Sequence, residues 1–91
     1  MKYAIDRTCA FKRDYKRAMK RGLPMQKLKD VVAKLANGEQ LPSANRDHSL
    51  SGNWAEHREC HIASDWLLIY QIKDSTLVLE LTRTGTHSDL F

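Results

Sequence analysis

Four histidines stand in the second half of the sequence, His48, His57, His61 and His87, in company with Asp47, Asp65 and Asp89. Imidazole gives or takes a proton near neutral pH, and its cation can stabilise negative charge growing on a phosphoryl oxygen. Several such groups beside positive charge suit one reaction in particular, attack by an RNA 2′-hydroxyl on its own adjacent phosphate. That reaction needs a base for the hydroxyl, an acid for the departing 5′-oxygen and a cation at the phosphate, and it needs no metal. Arg83 is the candidate cation, because a guanidinium can bind phosphate through two parallel donors. A salt bridge to a nearby carboxylate is its other reading. Phe91, next to His87, can plug a core, fray or stack on a base. Trp66, at the start of an apolar run, has the same choice between packing and stacking.

Metal chemistry fits the spacing poorly. On a strand, His57 and His61 share a face but lie about 13 Å apart, and alternation puts Cys60 on the face opposite His61. The only cysteines, Cys9 and Cys60, form no C-x-x-C pair. Neither a structural zinc site nor a disulfide framework is expected, and no cofactor motif is present. A reducing cytoplasm is the expected compartment.

The elements that must position these residues are legible from periodicity. Met1–Asp6 reads as a short strand, and Thr8 as the cap of a helix running to about Arg21. Phe11, Tyr15, Ala18 and Met19 form its apolar stripe. Lys12, Lys16 and Lys20, and Arg13, Arg17 and Arg21, stack in two basic columns whose like charges repel. Gly22 and Pro24 turn the chain into a second helix with Met25, Leu28, Val31, Val32 and Leu35 inward, ending at Asn37-Gly38. Residues 38–53 read as a long surface loop. Three strands follow, Trp54–Ile62, Trp66–Ile72 and Thr76–Arg83, with Arg83 on the face of Leu77, Leu79 and Leu81 by parity. The expected fold is α+β, in the order βααβββ. An antiparallel helical hairpin packs on one face of a mostly antiparallel sheet, and residues 1–91 make a single domain.

Composition agrees. A chain of 91 residues, 42% hydrophobic and 29% charged, is ordinary for one folded domain. The longest apolar run, Trp66–Tyr70, is far short of the roughly 20 residues of a membrane span. The charged opening Met1–Arg7 does not resemble a secretory signal. The net charge of +4 hides an asymmetry: residues 1–46 carry twelve Lys and Arg against four Asp and Glu, and residues 47–91 three against seven. A polyanion or an acidic protein partner suits the cationic half, and so does plain solubility.

Three ordered motifs then carry a resemblance. Asp47-His48-x-Leu50-x-Gly52-x-Trp54, Arg58-x-x-His61-x-x-x-Asp65-Trp66-x-Leu68-x-Tyr70 and Arg83-x-Gly85-x-His87-x-x-Leu90-Phe91 together resemble the YafQ branch of the RelE/ParE toxin superfamily. The resemblance implies a bacterial type II toxin that cleaves mRNA on the ribosome at the A site, without metal, and is held inactive by a cognate antitoxin. It implies a catalytic set of His48, His61, Asp65 and His87, with Trp66 and Phe91 in support and Arg83 as phosphate ligand. His48 and His87 flank the phosphate as acid and base in some order, while His61 and Asp65 stabilise charge or orient an imidazole. His57 departs from the pattern and is left as a surface or packing residue. Arg13, Lys16, Arg17 and Lys20 then dock on ribosomal RNA. Two other functions remain to be weighed, a gyrase-poisoning relative of the same fold and a non-enzymatic basic RNA-binding module. Neither needs several proton-transfer groups.

Overall fold

Thr8 starts the first helix as its hydroxyl predicts, accepting the Phe11 amide at 3.0 Å and so satisfying a donor the helix cannot use itself. The same hydroxyl donates to the Thr82 carbonyl at 2.7 Å and ties the helix start to the sheet. In the computed structural model, which describes residues 1–91, helix α1 spans Cys9–Lys20 and α2 spans Met25–Ala36. Gly22, at φ +75°, ends α1 by turning its own amide and that of Leu23 back to the carbonyls of Met19 and Ala18. Pro24 stands just ahead of α2, as its cap residue, rather than inside its first turn.

One position of the α1 stripe differs from expectation. Phe11 and Ala18 are buried, but Met19 is half exposed and Asp14 lies inside. A carboxylate is tolerated there because Arg83 and the Thr84 amide both donate to it.

The sheet has five strands in the order β1-β5-β4-β3-β2, with β1 at Ala4–Arg7, β2 at His48–Ser49, β3 at Arg58–Ala63, β4 at Trp66–Lys73 and β5 at Val78–Gly85. Only the β1–β5 pairing is parallel. This is the expected α+β layering: Leu68, Tyr70, Leu79 and Leu81 of the sheet meet Phe11, Leu28 and Leu35 of the helices in the main core. On the other face of β4, Leu67 and Ile69 pack with Leu90 of a short C-terminal helix, α3 (His87–Leu90), and against Leu50 and Trp54.

Three boundaries and one register are corrected by backbone geometry. Residues 38–53 are not an unstructured loop, since they contain a 3-10 turn at Ser43–Asn45 and the two-residue strand β2 paired to Arg58 and Glu59. The first meander strand begins at Arg58 rather than Trp54, which lies in a second 3-10 turn, so His57 precedes the strand. Leu77 is outside β5, half exposed at φ +53° in the turn after Asp74. Finally, the β4–β5 register shifts by one residue: Tyr70 faces Leu81 while Ile69 faces Arg83, and Thr82 bulges between them. The parity that put Arg83 with Leu79 and Leu81 therefore fails.

Candidate active site

The registers assemble a row of side chains across the sheet face away from the helical hairpin. His48 on β2 faces Glu59 on β3, Glu59 faces Ile69 on β4, and Ile69 faces Arg83 on β5. Two residues along, His61 faces Leu67, which faces Gly85. His61 is thus the diagonal neighbour of His48, at the roughly 7 to 8 Å typical of such pairs. His87 follows Gly85 at the start of α3, and its ring centroid lies 6.1 Å from that of His61. Three of the four histidines share one surface, while His57 stands apart with its ring edge-on to Trp54 at 5.5 Å. A 340 Å³ depression formed by His61, Arg46, Asn45 and neighbouring residues opens beside this surface. The larger groove, 620 Å³, lies between the helices and β1, is mostly apolar and contains no histidine.

Two of the three imidazoles on this surface, His48 and His87, have one nitrogen fixed. Nδ1 of His48 lies 2.7 Å from the Arg46 carbonyl, which can only accept, so that nitrogen carries its hydrogen. Nε2 then points toward a carboxylate oxygen of the buried Glu59 at 3.5 Å. Nδ1 of His87 donates to Asp65 at 3.2 Å, leaving Nε2 open. Asp65 also accepts the His87 backbone amide at 3.1 Å. Those two bonds, the backbone one first, hold the Asp65 carboxyl below its usual range.

Arg83 makes the salt bridge that was its other reading. Its Nε and Nη2 bind Asp14 at 2.6 and 3.2 Å, and this pairing raises the guanidinium further above its ordinary value. Nη1 makes no bond to the protein and remains a donor. Trp66 is only 3% exposed, and its indole N–H donates to Thr84 at 2.9 Å. Its expected place against RNA is corrected to the core, since neither ring face is open to a base. Phe91 is exposed and lies between His87 and Trp54, with ring centroids at 6.3 and 6.4 Å.

Several partners went unseen in the sequence. Glu59 is two residues before His61, so alternation alone puts it on the histidine face. Asp47 accepts from Tyr70 Oη at 2.6 Å and Arg58 Nε at 3.2 Å, anchoring the residue before His48. Burial, then Asp47, pushes the Tyr70 hydroxyl upward, so it stays a neutral donor. Cys60 is fully buried on the helix face, as alternation required, and burial raises its thiol to about 12. It is no nucleophile. Of the basic columns, Arg13, Lys16, Arg17 and Lys20 are all exposed, and Arg17 also lies 3.7 Å from Asp89.

Comparison with known proteins places this geometry. A family model described as a bacterial toxin of type II toxin-antitoxin system, YafQ, matches residues 3–91. The mRNA interferase toxin YafQ of Escherichia coli strain K12 is 41% identical over 88 residues, 96% of this chain and 94% of that protein. The crystal structure of the E. coli DinJ-YafQ complex matches with a TM-score of 0.90 at 39% identity, covering 98% of both chains. A metal-bound toxin from Helicobacter pylori matches with a TM-score of 0.92 at 39% identity, covering 98% of this chain and 99% of the other.

Proposed function

The chain belongs to the YafQ family of toxins of type II toxin-antitoxin systems, and from that premise we propose that it cuts mRNA in the ribosomal A site by metal-independent attack of the 2′-hydroxyl. It is an mRNA interferase, an endoribonuclease. The observation that supports the mechanism is the gathering of His48, His61 and His87 on one sheet face, with His87 bonded to Asp65.

Nε2 of His87, oriented through Nδ1 by Asp65, takes the 2′-hydroxyl proton, and the 2′-oxygen attacks phosphorus. His61 and the free Nη1 of Arg83 stabilise the charge on the five-coordinate phosphoryl group. The P–O5′ bond breaks as His48 gives its Nε2 proton to the 5′-oxygen, its cation having been balanced by Glu59. A 2′,3′-cyclic phosphate and a 5′-hydroxyl result, with His87 protonated and His48 neutral. The side chains can supply every charge and proton that these steps require.

Phe91 stacks on a base near the cut, and Arg13, Lys16, Arg17 and Lys20 dock on ribosomal RNA. A cognate antitoxin holds the toxin inactive, as the DinJ-YafQ complex suggests by analogy, and the cationic α1 suits an acidic segment of that partner. The deciding experiment induces wild type and His87→Ala in cells and follows growth and primer extension on cellular mRNA. Cleavage by wild type alone is expected; equal toxicity with intact mRNA overturns the reading. Purified toxin dialysed against chelator should cut mRNA when ribosomes are added, and should leave free mRNA intact.

A further inference from the structure

His87 sits on a helix of four residues, too short to hold its own shape, so something outside α3 must fix where the imidazole points. Asp89 is the joint. Its carboxylate accepts the Thr86 amide at 2.9 Å, while its own amide donates to the Thr86 hydroxyl at 3.1 Å, a reciprocal cap on the turn that begins with His87. The same carboxylate accepts from Arg21 at 2.7 and 3.2 Å, with Arg17 at 3.7 Å. Arg21 is the residue that closes α1, and its backbone is locked by the turn at Gly22. Gly85 permits the close approach: a Cβ there would stand 2.9 Å from the Asp89 side chain.

We infer that Asp89 and Arg21 are positioning residues for His87, so that Arg21, which belongs by sequence to one of the two basic columns, works as a clasp between α1 and the active site. Neither group touches the substrate. The pair fixes α3 in direction as well as in place, because a two-pronged guanidinium–carboxylate contact resists rotation where a point charge does not. The reading of His87 as the proton acceptor is the premise of this inference.

The two roles of Arg21 separate in a cleavage assay at varied ribosome concentration. Arg21→Gln and Asp89→Asn should each lower the maximal rate about 10- to 100-fold, the scale of a misplaced catalytic group. The ribosome concentration for half-maximal rate should stay within about twofold, and Arg21→Lys should recover only part of the loss. The double variant should be no slower than either single one, since both break the same contact. A full maximal rate with a raised half-saturating concentration for Arg21→Gln would make Arg21 a docking residue and overturn the inference. So would a full rate for Asp89→Asn. Because Arg21 is 42% exposed, its variant keeps the test available if Asp89→Asn does not fold. His87→Ala is run beside them: if it cuts at the wild-type rate, the assignment of the site fails and takes the clasp with it. If it is dead while both clasp variants cut normally, only the clasp is wrong.

Discussion

Asp14, buried on the inner side of α1, holds the Arg83 guanidinium by two hydrogen bonds at 2.6 and 3.2 Å and accepts the Thr84 amide at 3.2 Å. A helix thereby sets the direction of the cation on the opposite side of the sheet edge. Removing Arg83 strands the Asp14 carboxylate, which is 3% exposed.

Arg83→Ala should therefore cost about 3 kcal/mol of stability, the lower end for a broken buried pair, as well as nearly all cleavage. Asp14→Asn combined with Arg83→Gln should regain much of the stability and none of the activity, in urea unfolding and single-turnover cleavage respectively. Recovery of both would show that Arg83 only holds the fold.

The proton roles can be told apart with an RNA whose scissile 5′-oxygen is replaced by sulfur, a leaving group that departs without an acid. His48→Ala should be slow on the ordinary substrate and recover most of its rate on the sulfur one, whereas His87→Ala should stay slow on both. The opposite pattern exchanges base and acid.

Salt dependence reports docking. Changing Arg13 and Lys16 to Gln should weaken ribosome binding and lower the slope of log affinity against log salt by roughly 2, one per lost phosphate contact. An unchanged slope would leave the exposed column as a solubilising surface.

The acid limb of stability follows from Asp65 and Asp89, both held below the ordinary carboxylate value, the first mainly by the His87 amide and the second mainly by Arg21. A depressed folded value means that the stabilisation is complete above the unfolded carboxylate pKa, about 4. It is lost as pH falls through the folded value. The stability gap between wild type and an Asp65→Asn/Asp89→Asn variant should thus be constant near pH 7 and close below about pH 4. A gap that instead opened on acidification would contradict the geometry of α3.

Thr8→Ala should cost about 1 kcal/mol through the lost cap. It should cost somewhat more than an ordinary cap removal, because the Thr82 carbonyl loses its donor as well. Thermal unfolding beside an Arg13→Ala control checks this.

Periodicity located α1, α2 and the long strands, and the positions of Leu28, Leu35, Leu68 and Leu81 in the core follow from it, whereas the four residues of α3 are too few to show a period. What it could not show is where a strand breaks its own rule. The extra residue at Thr82 and the left-handed Leu77 are decided by pairing with β4 and by the turn after Asp74, so neither leaves a mark on the alternation of β5. His48 looked like a loop residue because two residues are too few to alternate; its strand exists through pairing to Arg58 and Glu59. Nothing in the sequence marks Asp14 for burial, because its partner is 69 residues away. The histidines were legible by type, and their convergence only through the register.

The parallel strand β1 covers β5 only from Val78 to Leu81, so the last stretch of β5 would present bare backbone at the margin of the sheet. Helix α1 closes it without being a strand: the Thr8 amide and hydroxyl take the Leu81 and Thr82 carbonyls, and Asp14 takes the Thr84 amide. An open margin of this kind recruits other chains into ribbons and aggregates. By masking it with side chains that also fix Arg83, the protein guards its colloidal behaviour and its chemistry with the same few atoms, and a lesion in either is expected to surface as a defect in both.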